Sequence, residues 1–206
     1  MSITLYGSAP TRSTRVAWML EEIGLEYDLV AAFDPRSEEF GALNPNRKVP
    51  VLVDGDFVVW ESMAVNLYLA QRYGGSLWPR SLEDQTRASM WSFWVMTELE
   101  DRLLTSMRAR FGPEAARDAD LARKLESEAE RPLGALELSL TGRDHLLGEA
   151  FTVADLNVAS VLTLSSYAGW DLAKYENVSR WLGGCLDRPS MEKVRQLPMS
   201  PPPPSD

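Results

Sequence analysis

The order of hydrophobic patterns along this 206-residue chain predicts an α/β domain followed by an all-helical one. Three observations carry that expectation. The chain opens as strand, helix, strand, which over a short span calls for a parallel pair joined by a crossover helix. A two-strand hairpin and a second helix follow, closing a compact unit within about 75 residues. From Leu82 onward only helical periodicity appears.

Ile3 to Tyr6 is β-prone and ends at Gly7, and the polar residues 8–13, with Pro10 among them, read as a loop. Val16, Met19, Leu20 and Ile23 recur at i, i+3, i+4 and i+7, one face of a helix, with Gly24 at its C-cap. Residues 27–32 form the next strand, and an irregular stretch runs from there to Pro50. Residues 51–53 and 57–60 pair across the turn Asp54-Gly55-Asp56. Ser62 is expected to N-cap a helix with apolar positions Ala64, Leu67, Tyr68 and Ala70, stopped by Gly74-Gly75. Trp78-Pro79-Arg80-Ser81 reads as a linker.

One long helix is expected over 83–110, carrying Trp91, Phe93 and Trp94 and broken by Gly112-Pro113. A second is expected over 114–140, ended by Thr141-Gly142. At 151–156, Thr152 and Asp155 stand at N-cap and N3, and Phe151 and Leu156 stand at the two staple positions. Shorter helices follow around 178–186 and 191–197, and prolines 201–204 predict a frayed polyproline end. The expected boundaries are 1–78 for the α/β domain, 84–198 for the helical domain and 199–206 for a disordered tail.

Composition narrows the function classes. Hydrophobic residues make up 45% and charged residues 25%, ordinary for a globular protein. A net charge of −9 with no segregated basic patch argues against nucleic acid. One cysteine, Cys185, leaves no internal disulfide and fits a reducing compartment. With His145 the single histidine and no cluster of soft ligands, no metal is expected. No apolar run reaches membrane-spanning length and the N-terminus has no leader pattern, so a cytoplasmic location and no membrane partner are expected.

Four segments occur in the order and spacing of a known family. Residues 5–16, Leu-Tyr-Gly-Ser-Ala-Pro-Thr-Arg-Ser-Thr-Arg-Val, resemble the first strand and catalytic loop of soluble glutathione S-transferases, in the bacterial type with a Ser/Thr-like loop. Asn44-Pro45 through Lys48-Val49-Pro50-Val51-Leu52 is similar to their cis-proline loop, Glu61-Ser62 to their γ-glutamyl site, and Thr152/Asp155 to the capping motif of their helical domain. The resemblance covers nearly the whole chain outside the proline tail. It implies a thioredoxin-like glutathione-binding domain, an all-helical domain shaping the second-substrate site, and a homodimer.

Roles follow from the resemblance residue by residue. The Val49 backbone, ahead of a cis Pro50, would pair with the cysteinyl backbone of glutathione, a very small β-augmentation. From the residues alone, Pro50 also fits an ordinary trans proline opening a strand. Ser62 and the free N–H groups of its helix would hold the γ-glutamyl carboxylate, and Glu61 the γ-glutamyl ammonium. Arg47 and Lys48 could take the glycyl carboxylate or stand as solvated loop charges. The glutathione thiol, with a pKa of about 8.5, is only about 3% thiolate at pH 7. A two-unit shift raises that to about 75% for ~2.7 kcal/mol. The hydroxyl that donates to the thiolate is expected just after the first strand: Thr11 first, then Ser13, then Ser8, with Tyr6 also open. Arg12 and Arg15 add positive charge nearby.

The implied function is thiol activation of bound glutathione for attack on a small hydrophobic electrophile, a detoxification chemistry of proximity and nucleophile activation. Two alternatives stay open: glutathione-dependent disulfide or peroxide reduction or cis-trans isomerisation, and a non-catalytic glutathione-binding or interaction protein.

Overall fold

A computed structural model describes residues 2–198 of the chain, so the tail expected at 199–206 lies outside the described residues. The chain divides into two compact units, one of residues up to Gly75 together with the segment from Arg188 on, the other Ser76–Asp187.

The first unit opens β1 (Ile3–Tyr6), α1 (Ser13–Ile23), β2 (Asp28–Val30), α2 (Glu38–Leu43), β3 (Val51–Asp54), β4 (Phe57–Trp60) and α3 (Ser62–Tyr73). Its four strands lie in the order β2-β1-β3-β4. β1 and β2 are parallel with α1 as the crossover, and β3 is antiparallel to both β1 and β4. This is the expected thioredoxin-like α/β arrangement. α1 buries Val16, Ala17, Trp18, Met19 and Leu20, and it ends where Gly24 turns left-handed and returns its N–H to the Leu20 carbonyl at 2.9 Å. β1 and β3 bring Leu5, Val51 and Leu52 to the core, each fully buried.

α2 falls in the stretch expected to be irregular. It is a six-residue helix capped by Ser37, whose Oγ accepts from Phe40 N at 3.1 Å. Six residues are too few to show a period, and only Phe40 is buried.

The second unit is helical throughout its named elements. α4 (Leu82–Val95) passes through a π-helical turn, Met96–Glu100, into α5 (Asp101–Phe111), in place of one uniform helix over 83–110. Trp91 is buried core while Phe93 is 64% exposed. The single helix expected over 114–140 is instead a 3₁₀ turn, Glu114–Ala116, then α6 (Ala119–Glu128) and α7 (Glu130–Ser139). Pro132 explains the break: it has no N–H for the Glu128 carbonyl, and its ring crowds that position.

α8 (Val153–Leu162) is buried along its whole length, the mark of a central helix. A short α9 (Leu164–Ala168), absent from the expected elements, ends at left-handed Gly169. α10 (Glu176–Leu186) buries Cys185, a small apolar residue of the core.

The start of α8 is the best-defined polar feature of this unit. Asp155 is 0% exposed and accepts from Thr152 N at 2.9 Å, Leu146 N at 2.8 Å and Trp181 Nε1 at 2.9 Å. The capping box read from Thr152 and Asp155 is therefore present and enlarged by two further donors. His145 stacks edge-on against Phe151 beside this carboxylate, with Nδ1 3.7 Å from Asp155 Oδ1.

The chain then returns to the first unit as α11 (Pro189–Arg195), which packs on α1. Residues 188–198, placed by sequence in the helical domain, cluster with the thioredoxin-like unit. No helix among the described residues is long and apolar enough to cross a membrane.

Candidate functional site

Strand register brings the three N-terminal segments to one place. Tyr6 sits opposite Val30 and Val51, and Val51 sits opposite Trp60. One residue beyond this row, at the same end of the sheet, lie Gly7, Pro50 and Glu61. α1 and α3 both begin beside them, so two helix N-termini and their partial positive charge face that end.

Gly7 has φ +145°, a conformation that L side chains rarely adopt, and a Cβ there would lie 1.8 Å from Ser13 Oγ. Its missing side chain lets the first residue of α1 pack directly on the strand end. Ser13 is 2% exposed, with its Oγ 3.5 Å from the Tyr6 carbonyl. Thr11 is only half-buried. Its Oγ1 donates to the Ser8 carbonyl at 2.6 Å and accepts from Ser13 N at 3.1 Å. Thr11 thus caps α1 through its side chain, while Arg12, the nominal N-cap residue, makes no such bond. Thr14 Oγ1 is buried with no hydrogen-bond partner among the described residues, a hydroxyl the sequence analysis did not single out. Tyr6 packs against Phe33 and Phe40, with ring centroids 5.7 and 5.9 Å away, as an aromatic of the core edge.

The Val49–Pro50 peptide is cis, and so is Ala9–Pro10, which the sequence did not announce. The approach to Pro50 is shaped by Asn44, 2% exposed: its Nδ2 donates to the Lys48 carbonyl at 2.7 Å and its Oδ1 accepts from Asn46 N at 2.9 Å. Arg47, at φ +53°, donates to the carbonyls of Pro35 and Ser37 at 3.0 and 2.7 Å. Its guanidinium therefore pins the loop ahead of α2, whereas Lys48 is exposed.

At α3 the expected cap is corrected. Glu61, at φ +74°, occupies the N-cap position and Ser62 is the first helical residue, 2% exposed. A non-glycine residue with that φ is held there by its surroundings. Arg15, 6% exposed, reaches from α1 to within 3.5 Å of Ser62 Oγ, and Asn66 Nδ2 holds the Arg15 carbonyl at 3.3 Å. A buried guanidinium thus stands beside the N-terminus of α3, an end whose helix dipole favours an anion. No group of three or more His, Cys, Asp or Glu side chains with metal-ligand placement occurs among the described residues.

The family model described as "Glutathione S-transferase, N-terminal domain" matches residues 1–71, and "Glutathione S-transferase, C-terminal domain" matches residues 97–189. Glutathione S-transferase D7 of Drosophila melanogaster is 32% identical over an alignment of 157 residues that covers 72% of this chain and 66%, just under two thirds, of that relative's length. The solved structure of a glutathione S-transferase-I bound with lactoylglutathione aligns with a TM-score of 0.84 at 28% identity, covering 93% of this chain and 97% of that one. A glutathione S-transferase III in apo form aligns at 0.83 and 29% identity, covering 98% and 100%. A Burkholderia graminis glutathione transferase, solved with two glutathione molecules bound per subunit, aligns at 0.81 and 26%, covering 94% and 87%. With both of its parts matched in order by the two models, this chain belongs to the glutathione S-transferase family.

Proposed function

We propose that the chain binds glutathione at the end of its four-stranded sheet and activates the thiol for attack on a small hydrophobic electrophile. The observation that carries this reading is the convergence at one end of the sheet of cis Val49–Pro50 and positive-φ Glu61, one residue beyond a single register row, with the N-termini of α1 and α3 beside them. The ligands bound in the solved relatives, lactoylglutathione and glutathione, support the same co-substrate.

In this reading the Val49 backbone pairs with the cysteinyl backbone. Ser62 and the free N–H groups of α3 hold the γ-glutamyl carboxylate, and Glu61 holds the ammonium. Lys48 takes the glycyl carboxylate, with Arg47 shaping the loop beside it. Thr11 donates to the thiolate in exchange for its bond to the Ser8 carbonyl, while buried Ser13 supports it from the helix. Cytoplasmic detoxification by a homodimer is the setting the family resemblance implies. A second reading, glutathione binding without turnover, draws on the Thr11 bond itself, because that hydroxyl proton is already donated to Ser8.

Isothermal titration with glutathione near neutral pH tests the site. The parent is expected to bind, and Ser62→Ala to bind about 5- to 30-fold more weakly, the loss of one charge-assisted hydrogen bond. Heat-silent titrations of folded parent protein, confirmed by a second method, would remove the reading. Turnover of an activated chloronitroarene then separates transferase from silent binder.

A further inference from the structure

We propose that the segment after α11 positions the thiol-activating loop: the Pro198 carbonyl holds the Ser8–Ala9 peptide, and a clamp between α1 and α11 fixes where that carbonyl stands. The inference rests on reading residues 8–13 as the loop that activates the glutathione thiol.

The Ala9 N–H donates to the Pro198 carbonyl at 3.0 Å. The other face of the same peptide unit is the Ser8 carbonyl, which accepts from Thr11 Oγ1 at 2.6 Å and from Thr11 N at 3.2 Å. A peptide unit is planar, so turning its N–H turns its C=O. The bond to Pro198 therefore sets the direction of the carbonyl that accepts from the Thr11 backbone N–H, the bond that keeps Thr11 in place when its hydroxyl swings from that carbonyl to the thiolate. Residues 189 places away in sequence are joined through a single amide.

The position of Pro198 is set in turn by the α1–α11 contact. Glu22 accepts from Arg188 Nε at 3.0 Å on both carboxylate oxygens, and from Arg188 Nη2 and Ser190 Oγ. Trp18, 1% exposed, donates from Nε1 to Ser190 Oγ at 3.0 Å. Lys193 reaches Glu21 at 2.9 Å. Past α11, Gln196 and Leu197 turn back on Lys193 and Val194 with N–H···O distances of 3.1 and 3.2 Å, delivering the chain to Pro198. The path starts on the helix whose first residue is Ser13 and ends on the loop that precedes it.

The test compares the full chain, a chain ended after Ser200 and a chain ended after Leu197. The readouts are the pH titration of thiolate absorbance for bound glutathione, glutathione affinity, thermal melting and hydrogen exchange across residues 7–12. Ending at Ser200 is expected to change none of these. Ending at Leu197 is expected to raise the bound thiol pKa by about one unit, a roughly tenfold fall in its acid dissociation constant, and to speed loop exchange, with affinity changed less than about threefold. A lowered thiol pKa that is the same in the full and Leu197-ended chains overturns the inference alone. A full chain that binds glutathione and leaves its thiol at the free-solution pKa overturns the thiol-activation reading and the inference with it. If the Leu197-ended chain loses its cooperative melt, Ser190→Ala in the full chain, which removes the hydroxyl between Trp18 and Glu22, decides: a raised thiol pKa supports the inference and an unchanged one overturns it.

Discussion

Gly7 and Thr11 show how much of the site depends on single atoms. A methyl group at position 7 would collide with Ser13 Oγ and adopt a φ that L residues avoid. Gly7→Ala is expected to cost about 1–3 kcal/mol, read as a lower midpoint in thermal melting, and to weaken glutathione binding by displacing Ser13. Thr11→Val keeps the shape of the side chain and removes its hydroxyl. It is expected to raise the bound thiol pKa by about one to two units, whereas Ser13→Ala, at a buried hydroxyl, is expected to move it less. Titration of thiolate absorbance ranks the two, and an equal or larger effect at Ser13 would reverse their roles. The resemblance singled out Glu61 and Ser62 by dipeptide and spacing, and the structure places both at the start of α3. The Arg47 contact to Pro35 and Ser37 and the Arg15 contact to Ser62 were not legible in the sequence, since each depends on a loop or helix face that no local pattern reports.

At the scale of the element, caps hold the helical unit together. Asp155→Ala would strand three buried N–H donors, on Thr152, Leu146 and Trp181. It is expected to cost about 3–5 kcal/mol, measured by chemical denaturation. Glu137, on α7, caps α10 from outside by accepting from Asn177 N at 3.0 Å and Val178 N at 2.9 Å. Glu137→Gln keeps one acceptor and is expected to lose about 1 kcal/mol. The start of α8 was readable because a capping box is a local pattern. The cap from Glu137 joins residues 40 apart in sequence and has no local signal. α2 and α9 escaped notice for a different reason, being too short to complete a hydrophobic period.

Across the whole molecule, charge sets how stability responds to pH. Burial alone would raise the Glu22 carboxyl, but hydrogen bonds from Arg188 and Ser190 and the Arg188 charge outweigh it and hold its pKa low. Asp54 is likewise held low: burial opposes ionisation, and hydrogen bonds from Tyr73 and Tyr68 and the charge of Arg72 overcome it. A carboxyl whose folded pKa is depressed contributes stability above its unfolded pKa and loses it as pH falls through the folded value. Acid melting should therefore show a midpoint falling below about pH 4, with a shallower fall in Glu22→Gln. Tyr68 has the opposite sign. Burial, then Asp54, pushes its phenol up to about 12, so its contribution is lost as pH rises toward that value.

By itself the sequence determined the class of fold, the order of its elements, the α8 cap and the family, because each is written in local periodicity, turn residues and motif spacing. Only the tertiary structure decided which residues share the sheet end, that Glu61 rather than Ser62 takes the N-cap position, that Pro132 divides α6 from α7, and that α11 joins the thioredoxin-like unit. Those outcomes depend on register, dihedral angles and side-chain contacts between residues far apart along the chain, and such contacts are settled by packing, which a one-dimensional pattern does not encode.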